Sequence, residues 1–481
     1  MLFNSYTYIF MFLPIVAMVY FVLNRSQKAL LGKYWLVAAS LVFYSWWDVS
    51  YLPLMLVSML FNYHAGRALG LQRAGKLGLV FSCLLNIGFL GYFKYADFFI
   101  GNVNLAAGTT LPLLHVVLPL GISFFTFQQI SYLVDSYRGV VKHDDPLDYM
   151  LFVTFFPQLI AGPIVHHSEM MPQFAQDELK QPDSFNIAQG IFVFFIGLFK
   201  KVVIADTFAT WATQGFDVAE QLGFVEAWVT SLSYTLQLYF DFSGYTDMAI
   251  GAALVFNIKI PINFNTPYKS LDIQEFWQRW HMTLSRFLRD YLYIPLGGNR
   301  NGELLAARNA LITFILGGLW HGAGWTFVFW GFLHGAGLVV VRFWRKFGIS
   351  MPAAPAWVIT FLFVNVGWVF FRAKEWGDAF KVLRGMAGLD GVKLPAPLAS
   401  KLGFLTEHGV TFGNYLSAIN GSEVTLLWLI VFLPLSFLGS NSMELADRFG
   451  FNWRTALIVI VLGTIAILHL NRVSEFLYFQ F

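Results

Sequence analysis

Residues 6–23 read YTYIFMFLPIVAMVYFVL, an uninterrupted run without a charged side chain. A helix of about 20 predominantly apolar residues is long enough to cross the hydrocarbon core of a bilayer. Comparable apolar runs recur at 77–93, 186–199, 355–371 and 454–470. The sequence therefore predicts an all-α polytopic membrane protein with about 11–13 membrane-embedded helices, some of them re-entrant or interfacial.

Composition separates this chain from soluble proteins. Hydrophobic residues make up 57% of the 481 residues and charged residues only 12%, whereas soluble globular domains carry about 25% charged residues. The one cysteine, Cys83, lies inside an apolar run, which excludes a disulfide framework. The first apolar run has no basic residues before it and no cleavage signal after it, so we expect a retained helix rather than a signal peptide. The expected surroundings are a lipid bilayer, and no nucleic-acid partner is expected.

Basic residues cluster in three loops that are separated by pairs of apolar segments. They are Arg25, Lys28 and Lys33 in the first loop, Arg67, Arg73 and Lys76 in the second, and Arg138 and Lys142 in the third. Cytoplasmic loops of membrane proteins carry an excess of lysine and arginine. The three loops are therefore predicted to be cytoplasmic, and the N-terminus is then predicted to face outward. The basic residues of the second half leave its topology open.

The chain is predicted to form one integral-membrane domain over residues 1–481, with its core motifs within 118–345. The weakly hydrophobic stretch at 383–423, rich in Gly, Pro, Ser and Lys, is predicted to be an extramembrane loop.

Residues 147–167 form an apolar segment that two prolines interrupt. Pro157 and Pro163 lie on either side of Gly162. At membrane depth such a broken element is tolerated only where protein or a water-filled cavity surrounds it. We therefore expect a re-entrant hairpin here.

The segment 272–300 reads DIQEFWQRWHMTLSRFLRDYLYIPLGGNR. Apolar positions recur at spacings of four, three and four residues, which predicts one continuous amphipathic helix. These positions are Trp277, His281, Leu284 and Leu288, and Arg279 and Arg286 lie opposite. Such a helix belongs near the lipid headgroups. His281 is then either a hydrogen-bonded structural residue or a functional one, because an ionisable group in apolar surroundings is costly.

Residues 317–335 read GGLWHGAGWTFVFWGFLHG and contain two histidines, His321 and His334. Glycine pairs four residues apart, at 318/322 and 331/335, allow neighbouring helices to approach closely. In a continuous helix, a rise of 1.5 Å per residue would separate the two histidines by about 20 Å and point them in different directions. The two histidines are therefore not expected to serve one small site.

Common metal and nucleophile motifs are absent from the sequence. It contains no H-E-x-x-H pattern, no G-x-S-x-G elbow, no Walker loop and no dinucleotide-binding glycine motif. The adjacent His166 and His167 lack the spacing that aims two imidazoles at one ion, so no metal and no bound cofactor are expected. A partly dehydrated neutral imidazole is instead a suitable general base for a hydroxyl that attacks an acyl carbonyl.

The segment 238–251, LYFDFSGYTDMAIG, places two carboxylates in apolar surroundings. Buried carboxylates must be paired or hydrogen-bonded. Asp241 and Asp247 are therefore expected to be supporting polar residues, which either satisfy the structure or orient a histidine or an arginine.

The last six residues, FLYFQF at 476–481, are aromatic or apolar apart from one glutamine, and Tyr478 is the single phenol among them. The segment is either an interfacial aromatic anchor or a terminus inserted into the protein. In the second case Tyr478 is available as an acyl acceptor.

Three segments together resemble the signatures of the membrane-bound O-acyltransferases: FWQRWHMTLSRFLRDYLYIPLGGNR, LGGLWHGAGW and LYFDFSGYTDMAIG. The resemblance is to the bacterial polysaccharide branch, which includes the alginate O-acetylation membrane protein and its cellulose-acetylating relatives. The start of the chain, YFKYADF at 92–98, the segment 118–139 and the final FLYFQF also fit this branch. The resemblance thus covers nearly the whole chain.

This resemblance implies that His321 is the catalytic histidine and that His281 is the family's second characteristic polar residue, both lining a central tunnel. It also implies that the protein lies in the bacterial inner membrane with its N-terminus in the periplasm. The acyl donor would be cytoplasmic acetyl-CoA, and the acyl group would pass toward an exported polysaccharide through periplasmic partner proteins. In the related D-alanylation system a small peptide carries a similar terminus, which makes Tyr478 a candidate covalent acetyl carrier. His334 matches no catalytic position and is expected to be a packing residue.

Within this interpretation, Arg279, Arg286 and Arg289 could bind the phosphates of the donor, because arginine suits bidentate phosphate recognition. Lipid headgroups are the alternative ligands. The competing functions are a transporter or export channel and a non-catalytic scaffold of a secretion complex. Transporters often contain two related halves, and the histidine motifs have no second copy. D-alanyl transfer to teichoic acid is the alternative within the family, and the acetylated polymer, such as alginate or cellulose, stays open.

Overall fold

The computed structural model describes residues 1–26, 28–141, 145–471 and 476–477. Helices dominate these residues, as predicted. The chain forms two compact units, each built from separate stretches of sequence. The first unit combines Met1–Phe199, Gly244–Asn263 and the described residues from Ser442 onward, and the second combines Lys200–Ser243 and Phe264–Asn441.

The first unit contains the N-terminal helices and the last two helices of the chain. Their bounds are α1 Leu13–Arg25, α2 Ala29–Ser45, α3 Tyr51–Gly70, α4 Gly75–Ala107, α5 Ile122–Tyr137, α6 Pro146–Thr154, α7 His167–Ala175, α8 Ser184–Phe199, α19 Ser442–Asp447 and α20 Trp453–His469.

The second unit contains the helices that carry the histidine motifs. Their bounds are α9 Asp206–Thr213, α10 Phe224–Val255, α11 Ile273–Arg279, α12 Met282–Leu288, α13 Glu303–His321, α14 Trp325–Lys346, α15 Ala353–Arg372, α16 Trp376–Met386, α17 Ala399–Leu402 and α18 Glu423–Leu438. The last part of α10, from Gly244, belongs to the first unit.

Shorter π-helical segments occur in both units. They are Tyr8–Phe12 in the first unit and Lys200–Ala205, Gln214–Val218 and Arg289–Tyr293 in the second.

Within the described residues, six helical segments are long and apolar enough to cross a membrane, judged by length and composition. They are Tyr8–Arg25, Gly75–Ala107, Ser184–Val218, Glu303–His321, Trp325–Lys346 and Ala353–Arg372. The helices α2, α18 and α20 are apolar but shorter. The prediction of an all-α polytopic membrane protein is confirmed.

The interrupted segment of the first unit is buried inside protein. Helix α6 ends at Thr154, the chain continues without regular helix, and α7 begins at His167. Every residue from Leu151 to His167 is buried. This burial satisfies the condition under which irregular backbone is tolerated in a membrane protein.

The stretch predicted as an extramembrane loop contains a small fold of its own. Strands β1 Val392–Pro395 and β2 Val410–Gly413 pair in parallel. Short helical turns, together with α17, connect the two strands.

The glycine-rich stretch 317–335 is a helical hairpin and not one continuous helix. Helix α13 ends at His321, and α14 begins at Trp325 after extended backbone at Gly322 and Gly324. The two helices pack very closely, because an added Cβ at Gly318 would lie 2.3 Å from the Phe327 carbonyl oxygen, and one at Gly331 would lie 2.3 Å from that of Phe314. The predicted close approach is therefore confirmed. The predicted ~20 Å separation of His321 and His334 was wrong, because it assumed one continuous helix and the chain reverses direction between the two residues.

Candidate active site

The local backbone at His281 departs from the predicted continuous helix. Asp272 begins α11 by accepting hydrogen bonds from the backbone N–H groups of Gln274 and Glu275, both at 2.9 Å. The helix ends at Arg279, and His281 adopts left-handed backbone with φ 44° and ψ 52° immediately before α12 begins. Trp277 and His281 therefore do not share one helical face, and the prediction was wrong on this point.

A tertiary contact accounts for the end of α11. The Asn265 N–H donates to the Arg279 carbonyl oxygen at 2.9 Å, and the Arg279 guanidinium donates to the Asn265 carbonyl oxygen at 3.2 Å. This two-way contact with a distant segment holds the backbone where the helix stops. No local spacing in the sequence signals such a contact.

His281 lies in fully buried, aromatic surroundings. Its ring packs edge-on against Phe242 of α10, with ring centroids 4.7 Å apart. Burial lowers the pKa of His281 to about 3, because an imidazolium would lose its hydration there. The residue lies between α11 and α12, outside the apolar helices that could cross the membrane, and its imidazole is neutral at physiological pH.

His321, the last residue of α13, lies opposite His281. The two imidazole centroids are 6.4 Å apart. The His321 ring is buried and packs edge-on against Trp330 and Phe371 at 5.2 and 5.1 Å. The imidazole at the end of α13 therefore lies close to a second imidazole from another element.

His334 belongs to the same aromatic cluster as His321, but it is not part of the His281–His321 pair. It is fully buried on α14, and its Nδ1 accepts a hydrogen bond from Trp277 Nε1 at 3.2 Å. Its ring centroid lies 4.8 Å from that of Trp330. Trp330 therefore contacts both histidines of the stretch that begins at Gly317.

Two of the three arginines predicted to bind phosphate are engaged with neighbouring carboxylates. Arg279 Nε donates to Glu275 at 2.9 Å, and Arg289 donates to both oxygens of Asp290 at 2.7 and 3.1 Å. Arg279 and Arg286 lie on separate helices, α11 and α12, rather than along one polar face. A phosphate at these positions would compete with protein carboxylates.

Asp241 takes part in a buried ion cluster with a lysine that the sequence reasoning missed. Lys201 Nζ lies 2.7 Å from an Asp241 oxygen and 2.8 Å from an Asp206 oxygen. The Lys201 side chain is 4% exposed. The carboxylate of Asp241 is thus paired with a buried lysine. A lysine inside the apolar run Ser184–Val218 was the available signal, because ionisable residues in such runs are rare and functional by default.

Asp247 lies in the first unit, where it accepts a hydrogen bond from Ser442 at 2.5 Å. Nearby in sequence, Tyr245 stacks on Phe476 at 4.4 Å and on Phe3 at 4.9 Å. Phe476 is 3% exposed. The first residue of the FLYFQF segment is thus packed inside the first unit, while Tyr478 lies outside the described residues.

The structure is that of a polytopic membrane protein in which two histidine rings lie 6.4 Å apart, centroid to centroid, in a buried aromatic site. Such imidazoles can accept a proton from a hydroxyl and donate a hydrogen bond to a developing oxyanion.

Comparison with known proteins identifies the family. The model of the "MBOAT, membrane-bound O-acyltransferase family" matches residues 83–374. The chain belongs to this family and is an acyltransferase.

Three curated relatives illustrate the range of this similarity. "Peptidoglycan O-acetyltransferase" of Helicobacter pylori is 48% identical over 100% of this chain and 98% of the relative. "Probable alginate O-acetylase AlgI" of Pseudomonas aeruginosa is 42% identical over 80% of this chain and 75% of the relative. "Teichoic acid D-alanyltransferase" of Bacillus subtilis is 28% identical over 53% of this chain and 69% of the relative. The expected resemblance to the polysaccharide O-acetylation branch is confirmed.

Proposed function

We propose that this protein transfers acetyl groups from a cytoplasmic donor, acetyl-CoA, for the O-acetylation of a polysaccharide outside the inner membrane. One observation carries the proposal: the rings of His321 and His281 lie 6.4 Å apart, centroid to centroid, in a buried aromatic site of a protein from an acyltransferase family. A transporter or a scaffold does not need such a pair.

In the proposed mechanism His321 is the general base. Its imidazole removes the proton from an attacking hydroxyl while the hydroxyl oxygen bonds to the acetyl carbonyl carbon. The tetrahedral intermediate then breaks its bond to the donor sulfur, and the thiolate takes the proton back from the imidazolium. The reaction consumes a hydroxyl and a thioester and yields an ester and a thiol, so atoms and protons balance.

His281 supports this step as a neutral hydrogen-bond donor. A neutral imidazole carries one N–H, which can stabilise the oxyanion of the intermediate. The low pKa of His281 keeps its imidazole in this neutral form at physiological pH.

The donor is proposed to bind through arginine near this site. Arg286 on α12 could hold donor phosphates, and Arg279 and Arg289 could do so after releasing Glu275 and Asp290. Lipid headgroups offer the same phosphate chemistry. Competition of a soluble CoA analogue with anionic lipid for the purified protein would separate the two ligands.

The relatives' names bear on which polymer is acetylated. The relative named for peptidoglycan is 48% identical over the whole chain, whereas the relatives named for alginate are 36–42% identical over 78–100% of the chain. Peptidoglycan is therefore the polymer we propose, with exported polysaccharides such as alginate and cellulose as the alternatives. Periplasmic acetyltransferase or acceptor proteins would complete the transfer.

Tyr478 is proposed as a covalent acetyl carrier between donor and periplasmic acceptor. The packing of Phe476 on Tyr245 supports a tail that enters the protein. Intact-mass analysis of protein incubated with acetyl donor should show an added acetyl group, and Tyr478→Phe should lack it. An acetylated species of equal amount in both proteins contradicts this role.

The function is tested by comparing cells with and without the protein. We expect loss of base-labile acetate from muropeptides when the protein is absent, and recovery when it is supplied again. Acetate lost from an exported polysaccharide with unchanged muropeptides would redirect the assignment to that polymer. Loss of ester-linked D-alanine with unchanged acetate would favour D-alanyl transfer.

A further inference from the structure

His334 has a feature that packing alone does not require. It is fully buried, and one of its ring nitrogens, Nε2, has no hydrogen-bond partner within the part of the chain that the structure describes. An apolar side chain of similar shape would fill the same place without leaving a polar atom unpaired. Packing therefore does not explain why this residue is a histidine.

The hydrogen bond from Trp277 fixes the state of this imidazole. An indole N–H can only donate, so His334 Nδ1 must accept and carries no proton. The neutral ring therefore bears its hydrogen on Nε2. An imidazolium would lose the bond, because both of its nitrogens donate.

The His334 imidazole is connected to His321 through a row of ring contacts. Its ring centroid lies 4.8 Å from that of Trp330, and Trp330 in turn stands at 89° to His321 with centroids 5.2 Å apart. Phe371 contacts both Trp330 and His321, at 4.9 and 5.1 Å. The position of the Trp330 ring thus depends on His334 and limits where the His321 ring can lie.

Helix α15 leaves room for this arrangement at one glycine. A Cβ added at Gly367 would lie 3.0 Å from His334 Nε2 and 3.7 Å from Trp330 Cδ1. A side chain at this position would press on both rings together. The close approach of α15 therefore contributes to the same ring positions.

We propose that His334 is a positioning residue for acyl transfer: held by Trp277, it sets the place of Trp330 and through it the orientation of His321. This proposal rests on the proposed role of His321. It assigns His334 no contact with substrate, and it makes Trp277 and His334 one functional pair.

The pair is tested by kinetics of the full-length protein reconstituted in vesicles with acetyl donor and acceptor. His334→Leu and Trp277→Phe each remove the hydrogen bond, and we expect each to lower kcat by about tenfold, since small misplacements of a catalytic group are costly. KM should change less than about twofold. Because both variants break one bond, their double variant should be no slower than either single variant.

His334→Asn is the conservative variant, because its side-chain oxygen can still accept from Trp277. We expect it to restore kcat to within about threefold of the wild-type value. Equal losses in His334→Asn and His334→Leu, or losses that multiply in the double variant, would overturn the proposal. Thermal unfolding of each variant identifies any that fails to fold.

A spectroscopic measurement keeps this test separate from the proposed function. In protein labelled with ¹⁵N-histidine, the signals that disappear in His334→Asn should report a neutral ring protonated at Nε2. They should shift in Trp277→Phe and remain in His321→Ala. If His321→Ala keeps full acyl transfer, the proposed function fails, whereas an Nδ1-protonated His334 refutes the positioning inference by itself.

Discussion

His281 combines an aromatic environment with a backbone conformation that few residues adopt. Left-handed backbone costs a non-glycine residue on the order of 1–3 kcal/mol and concentrates at functional sites. Asparagine tolerates this region better than most residues. The backbone requirement and the imidazole can therefore be separated by substitution.

We predict that His281→Asn folds with a thermal unfolding temperature near that of the wild type but loses about 100-fold or more in acetyl transfer, because its amide N–H ends short of the imidazole Nε2 position and cannot reach the oxyanion. Transfer by the reconstituted protein and its unfolding temperature check this together. Wild-type transfer rates in His281→Asn would remove His281 from the mechanism.

Lys201 supplies the positive charge in a cluster with two buried carboxylates. Removing one partner of a buried ion pair costs about 3–5 kcal/mol, because the remaining charge is left uncompensated. We predict that Lys201→Met sharply lowers the thermal unfolding temperature. Asp206→Asn, which leaves Lys201 paired with Asp241, should be milder.

The matched control for the cluster is Lys180→Met. Lys180 pairs with Asp177, whose side chain is 93% exposed, and exposed pairs contribute about 0–1 kcal/mol. Equal effects of Lys201→Met and Lys180→Met on unfolding would show that the buried cluster does not stabilise the fold.

Single residues show where sequence reasoning reaches its limit. His281 and His321 stood out in the sequence because ionisable groups are rare in apolar segments, and the family resemblance singled out His321 as the predicted catalytic residue. The partner of Asp241 was not visible, because Lys201 is distant in sequence and no spacing rule connects them. Pairings of this kind depend on tertiary structure alone.

The close packing of helices α13 and α14 depends on glycines that lie against the backbone of the opposite helix. An alanine Cβ at Gly331 would lie 2.3 Å from a carbonyl oxygen of the opposite helix. We predict that Gly331→Ala separates the helices, destabilises the protein by about 1–3 kcal/mol, and reduces transfer because both helices position the rings around His321.

Gly91→Ala is the control within an apolar helix, since nothing lies within 4 Å of an added Cβ there. Alanine favours helix over glycine by about 1 kcal/mol, so this variant should be as stable as the wild type or more so. Thermal unfolding of both variants decides the point. A neutral Gly331→Ala contradicts the account of the hairpin.

The same helices show which features of an element can be predicted. Glycine spacing indicated close packing, and apolar length indicated the helices themselves. The breaks at 280–281 and 322–324 were missed, because the apolar pattern continues through both. The Asn265–Arg279 contact that accompanies the first break is invisible to helical periodicity.

At the scale of the whole molecule, the fold class followed from composition, since a chain with so few charges requires an apolar solvent. The orientation in the membrane is a prediction that rests on the basic loops. We predict that Ser50→Cys, between α2 and α3, faces the periplasm, and that Gln72→Cys, between α3 and α4, faces the cytoplasm.

In a Cys83→Ser background, an impermeant maleimide added to spheroplasts should label Ser50→Cys directly and Gln72→Cys only after permeabilisation. Both wild-type residues are exposed in the structure, so access is not limited by packing. The reverse pattern would invert the topology and place the acyl donor on the other side.

The central claim is that His321 carries acyl transfer to a polysaccharide outside the membrane. Its most direct measurement is the base-labile acetate of envelope polysaccharide in cells that produce equal amounts of wild-type, His321→Ala or His408→Ala protein, His408 being an exposed histidine. We expect background acetate with His321→Ala and wild-type acetate with His408→Ala. Wild-type acetate with His321→Ala would contradict it.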